Sequence, residues 1–357
     1  MFGFMHILGS SISFWFSTII EEAMNSYAKK MKDITYINST HIIPIYVIEY
    51  KHMCQNMTSF ESVENWPYLY PFSIEYNIIL ASVFYILWTN IGNNTVDCEL
   101  SHVQEKLKTD HSTGTVEVNY HSNIAITADC HGSNLGLFSG LFFLLTVLVS
   151  GIVFFSTVSN DNFHNFGVEI YTFQFGILAI SLMFTIIKAS LKIQKLNVSK
   201  YLDTTSSTMN DFLLILPLPF FFIFHILCIN SNIQSNNINH IILAILHLID
   251  LCQVIYQSLF LIDGIRRCSN DKKHRIQKPG KGLITFSIIT NISYWLLGTF
   301  QMKIVDKYHT MNKYYGKFEW MIILDSCLPL MLFYRFHSSV CLSNIWKNAY
   351  EKDEKHH

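Results

Sequence analysis

Charge is scarce in this sequence. Only 14% of the 357 residues are Asp, Glu, Lys or Arg, and 25 basic against 26 acidic side chains leave a formal net charge of −1. A chain so poor in charge offers no basic face for nucleic acid, so no nucleic-acid partner is expected. The eight cysteines, at 54, 98, 130, 228, 252, 268, 327 and 341, never form a CxxC pair and show no repeated spacing, so neither a zinc site nor a disulfide framework follows. HExxH, GxSxG and a paired-aspartate motif are also missing; no enzymatic activity, cofactor or metal is expected. The first residues lack a basic n-region and a small-residue cleavage site, and Phe2 to Ile20 read as a membrane span instead of a signal peptide.

Apolar residues fill the space that charge leaves. They make up 50% of the chain, with 15% aromatic. Windows of roughly 17 to 25 mainly apolar residues, the length needed to cross about 30 Å of hydrocarbon, recur along the chain. About eight spans are expected, over 2–20, 71–91, 136–157, 168–190, 210–229, 239–262, 282–302 and 318–340. The fold class expected is therefore all-α, a polytopic membrane helix bundle.

The most informative stretch is His240 to Arg275. Its first two-thirds are apolar enough to span a membrane, yet they carry His247, Asp250, Gln253 and Gln257, which are costly in hydrocarbon. At about 100° per residue, His247, Asp250 and Gln257 share roughly an 80° arc, with Gln253 beside it. Such a stripe turns toward a bundle interior or a water path, or bonds a neighbouring helix. In the seventh span, Ser287, Asn291, Tyr294, Gly298 and Gln301 also share a face. The first span repeats the pattern with His6, Ser10, Ser13 and Ser17, and the second with Glu75, Ser82, Tyr85 and Thr89. Spans 136–157 and 168–190 hold little beyond Ser, Thr and Gln174, and no chemistry is assigned to them. Pro217 and Pro219 should loosen the fifth span near its middle. The eighth contains Asp325, Pro329, Arg335 and His337; Arg335 is expected to snorkel to the headgroups or to pair with Asp263.

Orientation follows from the loops. Segments 191–209 and 263–281 carry Lys192, Lys195, Lys200, Arg266, Arg267, Lys272, Lys273, Arg275, Lys278 and Lys281, whereas 158–167 and 230–238 carry no Lys or Arg. The former are expected in the cytosol. The polar loop 21–70 then lies outside, where the sequons at Asn38 and Asn56 would be glycosylated. The loop 303–317 holds four lysines on the same outer side and departs from the rule.

Several phrases resemble the otopetrin family of proton channels. They are FGFMHILGSSISFWFSTIIEE, YLYPFSIEYNIILASVFYILWTNIG, HGSNLGLFSGLFFLLTVLVSGIVFF, LCQVIYQSLFLIDGIRRC, KPGKGLITFSIITNISYWLLGTF and PLMLFYRFHSSVCLSNIWK, in order across nearly the whole chain. The resemblance implies twelve spans in two six-helix halves and a homodimer. Here residues 1–92 would supply the last two helices of the first half, 93–135 a cytosolic linker, 136–342 the six helices of the second half and 343–357 a cytosolic tail. Asp325 stands where the resemblance leads one to expect histidine. Glu75, Gln253, Asn291 and His337 are the positions that the resemblance carries over.

The expected function is proton-selective conduction across the plasma membrane, with protons and the lipid bilayer as partners. The second-half path would run along His247, Asp250, Gln253, Gln257 and Asn291, with His337 near its cytosolic end; a first-half path would pass Glu75 and His6. Amides would orient water while Asp250 titrates, so Asp250→Asn is expected to remove current and leave folding intact. A proton-coupled secondary transporter is the alternative, and it calls for discontinuous helices and an inverted repeat.

Overall fold

A computed structural model describes residues 2–37, part of 72–88, 133–158, 163–199, 204–235, 237–305 and 311–352. Among these residues the architecture is a helix bundle with a single two-residue strand pair. The helices are α1 (Phe2–Ile37), α2 (Asn134–Val158), α3 (His164–Ile193), α4 (Thr204–Ile215), α5 (Leu218–Ile233), α6 (Ile238–Gly264), α7 (Lys272–Gln277), α8 (Lys281–Leu297), α9 (Lys303–Val305), α10 (Met311–Tyr314) and α11 (Lys317–Asn348). Residues 72–88 are helical at every described position. Glu75, Asn38, Asn56 and most of the 93–135 linker lie outside the described residues.

Among the described residues five helical stretches are long and apolar enough to cross a membrane: 134–158, 165–193, 208–233, 238–264 and 281–302. They correspond to five of the eight expected spans, so the count of eight is not reached on this criterion. The helix α11 falls short because Glu319, Asp325, Arg335 and Lys347 dilute its apolar content, yet its middle turns are almost entirely buried. Two of these, Asp325 and Arg335, are enclosed by the other helices, whereas Glu319 and Lys347 near the ends are exposed. The helix α1 continues to Ile37, so the first part of the expected loop 21–70 is helical.

At the centre stands α8, packed on α2, α3 and α11, while α6 packs on α3 and α5. Sequence accounts for the tightest of these contacts. The GxxxG of α2 places Gly136 against the backbone of Gly282, where an added Cβ would lie 1.8 Å from the Gly282 carbonyl oxygen, and Gly140 against Ile289. Small residues at this spacing let two helix backbones approach in lipid. Backbone meets backbone, so nothing can swing aside, and Gly136→Ala should destabilise the bundle by about 2 kcal/mol, the usual scale of overpacking. Thermal melting in detergent checks this, with Gly3→Ala, which has open space around it, as control. A Gly136→Ala protein that melts with the wild type would sink the assignment.

The proline pair breaks the fifth span as expected. The helix α4 ends at Ile215 and α5 begins at Leu218 with Pro217 as its N-cap residue, because neither proline offers a backbone N–H. At its C-terminal end α8 runs into a π-turn, Gly298–Met302. There Gly298 faces Leu332 of α11, whose Cδ2 lies 2.6 Å from where a Cβ would sit. Beyond the C-terminal ends of α3 and α6 the strands β1 (Asn197–Val198) and β2 (Arg267–Cys268) pair antiparallel. Arg267 donates to Asp263 at 2.7 Å and to the Leu196 carbonyl at 3.0 Å, and Arg266 pairs with Asp211. The expected cytoplasmic stop is thus also a clasp between two loops.

Candidate functional site

The polar stripe of α6 faces inward along its whole length. His247, Asp250, Gln253 and Gln257 are all buried, and they meet buried groups from α5, α8 and α11. Asp250 Oδ1 accepts from Arg335 Nη2 at 2.6 Å and from the Tyr294 hydroxyl at 2.8 Å; Oδ2 lies 3.2 Å from His225 Nε2. His225 Nδ1 in turn lies 3.1 Å from His247 Nδ1. Arg335 also donates to Gln253 Oε1 at 2.7 Å, and its guanidinium lies 4.0 Å from the Tyr294 ring centroid.

This corrects the expectation for Arg335. The side chain is only 3% exposed and does not snorkel; Asp263 is taken by Arg267. A buried guanidinium needs both a counter-ion and acceptors for its fork of donors, and Asp250 with Gln253 supplies them.

From Gln253 the chain of bonds continues toward the C-terminal end of α6. Gln253 Nε2 donates to Gln257 Oε1 at 2.7 Å, and Gln257 Nε2 to Asn291 Oδ1 at 3.1 Å. Asn291 Nδ2 donates to the Ser287 carbonyl at 2.9 Å, and Ser287 Oγ to Thr185 Oγ1 at 3.3 Å. The chain covers about 15 Å from His247 to Gln257 and about 6 Å more to Ser287, roughly two-thirds of the hydrocarbon core.

A cavity lies at each end. The outer one, about 30 Å³, is lined by His225, Asp250, Tyr294 and Arg335 together with apolar side chains of α3, α5 and α11. About 10–15 Å³ admits one water, so this space has room for one or two beside the ion pair. The inner one, about 490 Å³, reaches from Thr185 to the start of α2, the end of α3 and the start of α8.

Of the sequence-expected residues, His247, Asp250, Gln253, Gln257 and Asn291 are brought together. His6 is exposed on α1 and away from them. His337 is buried, stacked on Phe333 with Cys341 Sγ 3.5 Å from its Nε2, and stands apart from the chain. Sequence reasoning missed His225 and gave Arg335 the wrong surroundings. A histidine alone in the apolar run PFFFIFHILC is the same signal of a costly group that singled out α6. Gln174, to which no chemistry was given, bonds Ser150 across α2 and α3 and serves packing there.

The chain matches the Otopetrin family model over residues 29–336. It is 25% identical over 382 residues to the proton channel OtopLc of Drosophila melanogaster, covering 98% of this chain and 23% of that protein. It is 20% identical to the proton channel OTOP1 of Danio rerio, over 98% of this chain and 67% of the relative. To the proton channel OTOP3 of Homo sapiens it is 22% identical, over 83% of this chain and 54% of the relative.

Proposed function

We propose, from the premise that the chain belongs to the otopetrin family, that it conducts protons across a membrane through the polar chain between α6 and α8. One observation carries this reading: buried polar side chains, hydrogen-bonded from Asp250 through Arg335, Gln253 and Gln257 to Asn291 and from there to the Ser287 backbone carbonyl, lead from a cavity beside His225 and Asp250 to a wider one at Thr185. The chain spans less than a quarter of the Drosophila relative and 54% of the human one.

The parts of the run differ in chemistry. Imidazole takes up a proton at one nitrogen and releases one at the other, and His225 and His247 present facing nitrogens 3.1 Å apart at the outer end. The carboxylate of Asp250 lies 3.2 Å from His225 Nε2 and 2.6 Å from Arg335 Nη2, so the histidine pair and the ion pair form one polar cluster. Gln253, Gln257 and Asn291 cannot titrate, and bonded directly to one another they leave no water between them. They form a plug in a closed state; conduction requires water to insert among them. A first-half route past Glu75 and His6, a homodimer and residence in the plasma membrane complete the reading.

Purified full-length chain in vesicles with an internal pH dye tests it. With a pH gradient as the only driving force and valinomycin-clamped potassium for charge balance, acidification at least tenfold faster than in empty vesicles is expected. Proton movement that appears only when a second solute is supplied would replace the channel with the coupled transporter, a reading for which the break between α4 and α5 is the one structural argument.

A further inference from the structure

The connection between α6 and α8 divides its cations into two sets. Arg266 pairs with Asp211 and Arg267 with Asp263, so these two are engaged inside the protein. Lys272, Lys273 and Arg275 lie instead on the six-residue helix α7, whose ends are both well defined. The Asp271 side chain accepts from the Lys273 N–H at 3.0 Å as the N-cap. Lys278, at φ +43°, ends the helix in the left-handed conformation, and its N–H donates to the His274 carbonyl at 2.9 Å. The residues after α11 hold both sides of this element: the Ser269 N–H donates to the Glu351 carbonyl at 2.8 Å, and the Tyr350 hydroxyl to the Pro279 carbonyl at 2.9 Å. The helix is therefore a fixed platform and not a loose connection.

The platform has two unlike faces. At about 100° per residue, Lys272, Ile276, Lys273 and Gln277 follow one another within roughly a 140° arc, and all four are exposed. His274 and Arg275, on the other side, are half-buried. The outward face thus presents one branched aliphatic side chain, 73% exposed, between two ammonium groups. An aliphatic group flanked by lysines is the pattern of a helix lying at a bilayer surface, where the apolar side chain leaves water and the cations stay among headgroups. The level agrees. Gln277 lines the same cavity as Leu135 and Gly136, the second and third residues of α2, and Leu135 is 85% exposed at the start of that apolar span. The helix α7 therefore stands within a cavity's width of the point where a span enters the bilayer.

We propose that the outward face of α7, formed by Lys272, Lys273 and Ile276, docks on the anionic phospholipid headgroups of the adjoining leaflet, with Ile276 entering the interface and the two lysines bound to the anionic groups around it. Charge selects the class of lipid, because an anionic leaflet attracts each lysine that stands near it. The side agrees as well: the charge of segment 263–281 assigns it to the cytosol, and anionic lipids are concentrated in the cytoplasmic leaflet. Docking there anchors the start of α8, the helix that carries Asn291 and Tyr294. The surface stands on the placement of α7, whether or not the polar run between α6 and α8 conducts.

Photocrosslinking tests the surface. The full-length chain carrying benzoylphenylalanine in place of Ile276 is reconstituted in phosphatidylcholine nanodiscs with a minor share of phosphatidylserine, irradiated, and its adducts are identified by mass. Lipid adducts are expected, with the ratio of phosphatidylserine to phosphatidylcholine about twenty-fivefold above that of the bilayer, since each lysine near an anionic surface is worth about fivefold. Either Lys272→Gln or Lys273→Gln should leave about fivefold enrichment, and the double variant should bring the adducts to the bilayer ratio without abolishing them. Lys347→Gln, which removes an exposed lysine of α11, is expected to keep the full enrichment. Native mass spectra of the chain without the photoreactive group give a second comparison: the double variant should retain fewer phosphatidylserine molecules and as many phosphatidylcholine molecules. Crosslinks into the chain itself would show that protein and not lipid covers the face, and they overturn the proposal. So does an adduct ratio equal to that of the bilayer while both lysines are present, or an equal loss of enrichment in Lys347→Gln.

Discussion

Arg335→Leu is expected to remove most folded protein from the membrane, and Asp250→Leu in the same chain to bring a large part of it back. The single change leaves the Asp250 carboxylate, 1% exposed, without its guanidinium, and stranding one partner of a buried ion pair costs about 3–5 kcal/mol. Total stabilities run to about 5–15 kcal/mol, so the loss is a large share of the whole. Replacing both partners by apolar side chains removes the stranded charge, which is often close to neutral. Recovery stays incomplete here because His225, Tyr294 and Gln253 also lose bonds to the pair. Surface biotinylation of the two singles and the double gives the cycle. An Arg335→Leu protein at wild-type surface level would show that the pair does not hold the bundle together.

The same geometry revises the expectation for Asp250→Asn. Read from α6 alone, Asp250 is an isolated relay group, and an amide of equal size should fold as well as the acid. With Arg335 only 2.6 Å away, the amide leaves a buried cation without its counter-ion. Surface expression should therefore fall together with current, and Asp250→Asn combined with Arg335→Gln is the variant that isolates the proton role.

What could be read from the sequence, and what could not, divides along one physical line. The cost of burying His247, Asp250, Gln253, Gln257 and Asn291 is a local property of one helix, and helical periodicity places each on a face; the structure puts all five inside. The partner of a buried charge is not local. Arg335 lies 85 residues from Asp250, and its position near the end of an expected span made headgroup snorkelling the simpler reading. His225 was lost because one polar residue in a long apolar run makes no stripe. The spans themselves were legible where lipid faces them, as in α2, α3 and α6, and least so in α11, whose enclosed polar groups mimic a weaker span. No pattern in the sequence announced that Lys192 and Lys278, 86 positions apart, would line one cavity.

The amide plug allows a prediction in which size and polarity pull apart. Gln257 is its middle member, accepting from Gln253 and donating to Asn291. Leucine at 257 has similar bulk and no hydrogen bonds, so it strands the Gln253 donor and the Asn291 acceptor and fills the space that water must occupy. Water passing an apolar leucine forgoes at least one hydrogen bond, about 1–3 kcal/mol on the barrier, and since 1.36 kcal/mol is tenfold in rate, current should fall about tenfold. Alanine at 257 strands the same two groups but vacates space between polar neighbours, where a water can bond both. Its current should equal or exceed that of the wild type, with weaker closure. Asn291 stays held by the Ser287 carbonyl in either variant, which limits wider rearrangement. Equal currents in Gln257→Leu and wild type, at matched surface levels, would place the proton route elsewhere than between α6 and α8. Equal losses in the leucine and alanine variants would keep the route and remove the plug, because polarity and not occupancy would then control passage.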